Sequence, residues 1–123
     1  MGARTALLRA ALKAMHVTGA GALAAPLTRG IGVIFTLHHV SPVPPPAFSP
    51  NRILTITPEF LDRVIEHVLA AGYDIVTLDD MAARLGQHTQ GQTAAPRPFA
   101  CFTFDDGYRD NRDHALPLFE RHG

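Results

Sequence analysis

The run Phe99-Ala100-Cys101-Phe102-Thr103-Phe104 constrains the fold more than any other segment of this chain. Successive residues of a strand point to opposite faces, so a run apolar on both faces cannot leave one of them in water. Such a strand belongs in the middle of a sheet. Here it delivers two carboxylates and a glycine, Asp105-Asp106-Gly107, into the turn that follows.

The segments around it alternate between strand and helix patterns. Gly30 to Val40 (GIGVIFTLHHV) is a β-branched and aromatic run that reads as a buried strand ending in a His pair. Ser41-Pro42-Val43-Pro44-Pro45-Pro46 then forbids helix and central strand alike and reads as an extended surface loop. Thr57-Pro58-Glu59 supplies an N-cap, a proline at the first helical position and a first-turn carboxylate. Phe60, Leu61, Val64, Ile65, Val68 and Leu69 follow at helical spacing, with Gly72 as the expected stop. Asp74 to Leu78 reads as a second strand, Asp79 to Leu85 as a short helix ended by Gly86, and 87–98 as a polar loop. A last helix is expected over Ala115–His122, with Pro117 in its first turn. Strand and helix in strict alternation predict an α/β fold with parallel strands.

Lys+Arg and Asp+Glu are both 11, so the formal net charge is zero. That balance predicts no nucleic-acid partner, which would need a basic surface against the phosphates. Cys101 is the single cysteine, which excludes an internal disulfide. Its place inside the apolar strand makes it a core residue. No apolar run approaches the roughly 20 residues that span a bilayer, so stable membrane insertion is not expected.

Residues 1–30 are a separate leader segment in this reading. Thr5 to Val17 predicts a basic helix with Ala6, Leu7, Ala10, Ala11 and Ala14 on one face. The alternative is a signal or anchor within residues 1–25. Arg4, Arg9 and Lys13 precede a small-residue stretch there, and Ala22-Leu23-Ala24 resembles a signal-peptidase site. The helix reading implies a cytoplasmic chain, and the alternative an exported or anchored one.

In α/β folds ligands bind where the loops converge at the carboxyl ends of the strands. Adjacent carboxylates at such a place repel one another unless a cation or a proton lies between them. A divalent metal resolves the conflict: one carboxylate binds it while the other accepts a proton from water. The plain alternative is a solvated Asx turn. Asp79-Asp80 also follows an apolar strand but leads into a helix, where it reads as cap and dipole partner.

The segment Thr103-Phe104-Asp105-Asp106-Gly107-Tyr108 resembles the first motif of the polysaccharide deacetylase family, the nodulation-type carbohydrate esterases that include chitooligosaccharide deacetylases. Leu37-His38-His39-Val40 looks like that family's opening strand, usually Tyr-His-Arg-Val. Thr57-Pro58-Glu59-Phe60 with Ala71-Gly72-Tyr73, Val76-Thr77-Leu78-Asp79-Asp80 and Ala115-Leu116-Pro117 follow in the family's order. The likeness covers residues 31–123. It implies the N-terminal portion of a distorted (β/α) barrel and a hydrolase that removes acetyl groups from N-acetylated sugars of a polysaccharide or chitooligosaccharide. It also implies a divalent metal, zinc being the usual one, and an acetylated glycan as partner.

Carried over residue by residue, Asp105 is the catalytic base and Asp106 the metal ligand, with Tyr108 beside the substrate; His38, in the family-matched place, either lines the site or is a hydrogen-bonded structural histidine. The family's second motif, His-Ser/Thr-x-x-His, has no counterpart: the histidines are at 16, 38, 39, 67, 88, 114 and 122, no two of them four apart. A catalytic zinc takes three protein ligands and a water. The expectation is therefore a truncated domain, inactive alone, whose remaining ligands lie beyond Gly123. Two alternatives stay open. One is a degenerate, non-catalytic carbohydrate-binding relative. The other, a magnesium-dependent phosphoryl-transfer site, usually separates its two Asp residues by one position.

Among the other polar residues, strand alternation points only one of His38 and His39 inward. His67 is expected on a solvated helix face, His88 in the linker and His114 at a helix start. Arg109 is expected to pair with Asp110 or to contact a sugar.

Overall fold

A computed structural model describes residues 3–28, 30–91 and 97–123. In chain order the elements are helices α1 (Ala3–Thr18) and α2 (Ala20–Thr28), strands β1 (Gly32–Leu37), β2 (His39–Val40) and β3 (Thr55–Ile56), helix α3 (Pro58–Ala70), strand β4 (Asp74–Ile75), helix α4 (Leu78–Thr89), strand β5 (Phe99–Phe104) and helix α5 (Leu116–His122). They form two compact units, Met1–Gly30 and Ile31–Gly123.

In the first unit, the basic helix expected over Thr5–Val17 runs one turn further, and every residue of α1 is exposed. Gly19, at φ +69°, turns the chain into α2. No helix among the described residues is long and apolar enough to cross a membrane.

The second unit is a mixed helix-and-strand assembly built on small parallel sheets. β5 lies between β1 and β4, parallel to both, with Phe99, Ala100 and Cys101 buried, which is the central position its composition requires. The register sets Gly32 against Phe99 and Leu37 against Phe104. β1 differs from the buried strand expected: Ile34 and Thr36 are exposed, so this edge strand covers one face only. The expected strand over Gly30–Val40 also breaks at His38. Beyond the break, β2 pairs with β3 in a separate two-stranded parallel sheet, His39 opposite Thr55 and Val40 opposite Ile56.

Helix α3 is fixed by its own ends. Thr57 Oγ1 accepts from the Phe60 amide at 3.2 Å, and Pro58 occupies the first turn. At the other end the Tyr73 amide bonds the Val68 carbonyl and the Gly72 amide bonds the Leu69 carbonyl, with Gly72 at φ +81°. This is a Schellman closure, whose left-handed residue is nearly always glycine. Leu61, Ile65 and Val68 form the buried stripe, whereas Phe60 and Leu69 remain exposed, so the apolar face is narrower than the sequence implied.

α4 departs more. β4 ends at Ile75 because Thr77 is committed to capping the next helix: its Oγ1 accepts from the Asp80 amide and donates to the Asp80 carboxylate at 2.8 Å. These two bonds make Thr77 the cap in place of Asp79 or Asp80. Gly86 does not stop the helix, since an interior glycine costs only about 1 kcal/mol relative to alanine. The chain instead turns at Gly91, φ +67°. Of the loop expected over 87–98, residues 87–89 are therefore helical and 92–96 lie outside the described residues.

Val40, Leu61, Ile65 and Ala115 form the centre of the core, with Phe102, Phe104 and Phe119 among the side chains against it. Phe119 meets Phe102 and Phe104 edge-on at 5.1 and 6.1 Å. These contacts seat α5, which begins at Leu116, after a π-helical turn over Asn111–Ala115. Pro117 lies in its first turn, as expected, at the junction with the π-helical turn. His122 Nε2 and the Arg121 guanidinium both reach Asp62 Oδ1 on α3, at 2.6 and 2.5 Å.

Candidate functional site

The carboxyl ends of β1 and β5 stop side by side. The ladder runs one residue past β5, where the Asp105 amide donates to the Leu37 carbonyl at 2.9 Å. The following residues, Asp106 and Gly107, both take left-handed backbone, φ +66° and +59°. Glycine adopts that conformation freely and aspartate is one of the few others that tolerates it, so the turn after the strand is tight and locally specified. Both carboxylates are thereby presented in solvent at the sheet's end.

His38 occupies the break between β1 and β2. Its Nε2 lies 3.8 Å from Asp105 Oδ2, within ion-pair range when protonated but beyond a hydrogen bond. His39 is the residue whose place the sequence did not reveal. Its Nδ1 lies 2.8 Å from Asp110 Oδ2. An ionised carboxylate only accepts, so the Nδ1 proton points at Asp110. The Tyr108 ring stacks on the His39 ring, centroids 3.7 Å apart. Alternation predicted that one histidine of the pair would face the acidic turn. The strand break frees both to reach a carboxylate.

Asp110 Oδ1 and both amide atoms of Asn111 are enclosed with no hydrogen-bond partner among the described residues. Enclosed polar atoms without partners are uncommon in folded proteins, and here they sit directly after the acidic turn. Beside His39 and Asp110, a cavity of about 270 Å³ is lined also by Ser41, Thr55 and Pro44 to Pro46. The proline-rich segment is the surface loop expected, and it forms one wall of this cleft.

Other polar residues lie elsewhere. Arg109 pairs with Asp113 at 3.3 Å, one helical turn on, and not with Asp110, which His39 occupies. Asp113 also binds Arg112, and that hydrogen bond, ahead of the nearby charges, holds its carboxyl below the usual value. His67 is exposed, as expected of the helix face opposite the core. His88 is on α4 and not in a linker, and His114 lies within the π-helical turn. Burial pushes the Cys101 thiol up, away from the reactive thiolate.

Among the described residues no three of His, Cys, Asp and Glu converge as a metal site would require. His38, Asp105 and Asp106 provide donors at one edge and do not by themselves make a coordination shell. Comparison with protein-family models, with curated proteins and with solved structures gave no match to this chain.

Proposed function

We propose that this chain is the opening part of a metal-dependent deacetylase acting on N-acetylated sugars of a polysaccharide or chitooligosaccharide, folded as the first portion of a distorted (β/α) barrel. The observation that carries the reading is the approach of His38 to Asp105, 3.8 Å apart at the adjoining ends of two parallel strands, beside a left-handed turn that leaves the Asp105 and Asp106 carboxylates exposed. The resemblance of the motif and of its flanking segments gives that arrangement its chemistry.

In this reading Asp105 takes the proton from the attacking water, and Asp106 offers one carboxylate to a divalent metal, zinc being the usual choice. The metal would supply Lewis acidity toward the acetyl carbonyl. Its two histidine ligands are not in this sequence, so residues 1–123 supply the base and one ligand and are inactive alone. Tyr108, stacked on His39 beside the turn, offers an aromatic face and a hydroxyl to a sugar ring.

The second reading is a carbohydrate-binding relative without turnover, which the same acidic turn and the Tyr108 ring beside it would also serve. Acetate release from acetylated chitooligosaccharide by the whole gene product, with and without added zinc, separates the two. Zinc-dependent release supports the deacetylase, and glycan binding without release supports the binding protein.

A further inference from the structure

The chain's overall neutrality hides a steep asymmetry. Glu59 is the first acidic residue in the sequence, whereas Arg4, Arg9, Lys13 and Arg29 all fall within residues 1–30. The N-terminal unit therefore carries four positive side chains and no negative one.

On α1, Arg4 lies four positions before Leu8, on the leucine side, and the other charges fall on a stripe of their own. Residues separated by four and then three share a helix face. Arg9, Lys13 and His16 form one such stripe on α1, and Leu8, Leu12 and Met15 form the stripe beside it. On α2, which has no charged residue, Leu23 and Leu27 repeat the apolar spacing. None of these leucines is covered: Leu7, Leu8, Leu12, Leu23 and Leu27 keep between 64% and 91% of their surface in solvent.

Leucines gathered in this number on a short pair of helices make an apolar surface of the kind that marks an interaction site. A helix that sets apolar side chains beside a cationic stripe, too short and too polar to span, matches the interface of an anionic bilayer: leucines enter the acyl boundary while Arg and Lys stay at the headgroups. A second copy of the unit would cover the leucines but would also bring two sets of four positive charges together. Nucleic acid would satisfy the charge but leave the leucines wet. We infer that residues 3–28 are a peripheral membrane anchor that adsorbs this protein on anionic lipid surfaces. The inference is independent of the deacetylase reading.

The test is co-sedimentation of the full chain with vesicles of equal parts phosphatidylglycerol and phosphatidylcholine, against vesicles of phosphatidylcholine alone. The chain is expected to sediment with the anionic vesicles only, and less as salt is raised. Each basic residue at such a surface contributes about fivefold in affinity, so Arg4→Gln with Lys13→Gln is expected to weaken binding roughly twenty-five-fold at low salt. Leu8→Gln with Leu12→Gln is expected to abolish it while keeping the helix, because glutamine is nearly as good a helix former as leucine. Equal binding to neutral vesicles, no binding to either, a leucine-dependent dimer that ignores lipid, or removal of residues 1–25 by signal peptidase in cells would each overturn the inference.

Discussion

His39 and Asp110 are 71 positions apart in the chain, yet the imidazole Nδ1 lies 2.8 Å from the carboxylate Oδ2. The contact ties the start of the small β2–β3 sheet to the segment that follows the acidic turn. Because Tyr108 stacks on the same imidazole, one residue orients both flanks of the site. Neither partner is more than a third exposed, so solvent weakens the bond only in part. Asp110→Ala is expected to cost about 1–2 kcal/mol, toward the low end for hydrogen bonds to charged groups because the pair is partly in solvent. Urea denaturation measures this, and an unchanged midpoint would mean the pair contributes no stability.

The left-handed turn yields a test that separates backbone from chemistry. Asp106→Asn keeps a side chain that tolerates φ +66° and should leave stability within about 0.5 kcal/mol. Asp106→Val places a β-branched residue there and should cost about 1–3 kcal/mol. Equal stability of the two variants, read from thermal denaturation, would show that the turn is not held in this conformation.

Gly32 is set by close approach and not by its backbone angles. A Cβ built there would run into the ring of Phe99. Phe99 is buried in the central strand, so its ring cannot simply swing into solvent. Gly32→Ala should therefore destabilise by about 1–3 kcal/mol, as overpacking does. Pairing it with Phe99→Leu in a double-mutant cycle should recover part of that loss, and strict additivity would refute the contact.

Asp62 gives the pH dependence. The hydrogen bond from His122, then that from Arg121, hold its carboxyl below the ordinary value of 3.8. A carboxyl depressed in the folded state contributes stability that is fully present above the unfolded pKa and is lost as pH falls through the folded one. The melting-temperature gap between the protein and Asp62→Asn should therefore persist at neutral pH. It should start to close below about pH 4 and vanish in stronger acid. A gap that stays constant through that range would contradict the assignment.

What the sequence disclosed and what it hid divide along physical lines. α3 was legible because its signals are local: the Thr57 cap, Pro58, the spacing of Leu61, Ile65 and Val68, and Gly72. The central place of β5 was legible because a strand apolar on both faces has nowhere else to go. The break at His38 was not, since it depends on pairing of His39 and Val40 with Thr55 and Ile56 across a proline-rich loop. The length of α4 is not legible, because Gly86 is tolerated inside a helix and the Thr77 cap starts the helix before the acidic pair. At the site, the nearness of His38 to Asp105 follows from parallel neighbours ending together. The bond between His39 and Asp110 is a long-range contact with no local signature.

The proposed chemistry rests most directly on Asp105. The decisive measurement is the zinc-dependent rate of acetate release by the whole gene product and by its Asp105→Asn variant, with bound zinc quantified in both. The account predicts equal zinc content and a rate reduced by about 10²–10⁴, the usual contribution of a positioned general base. Acetate release undiminished in Asp105→Asn, at equal zinc content, would contradict it.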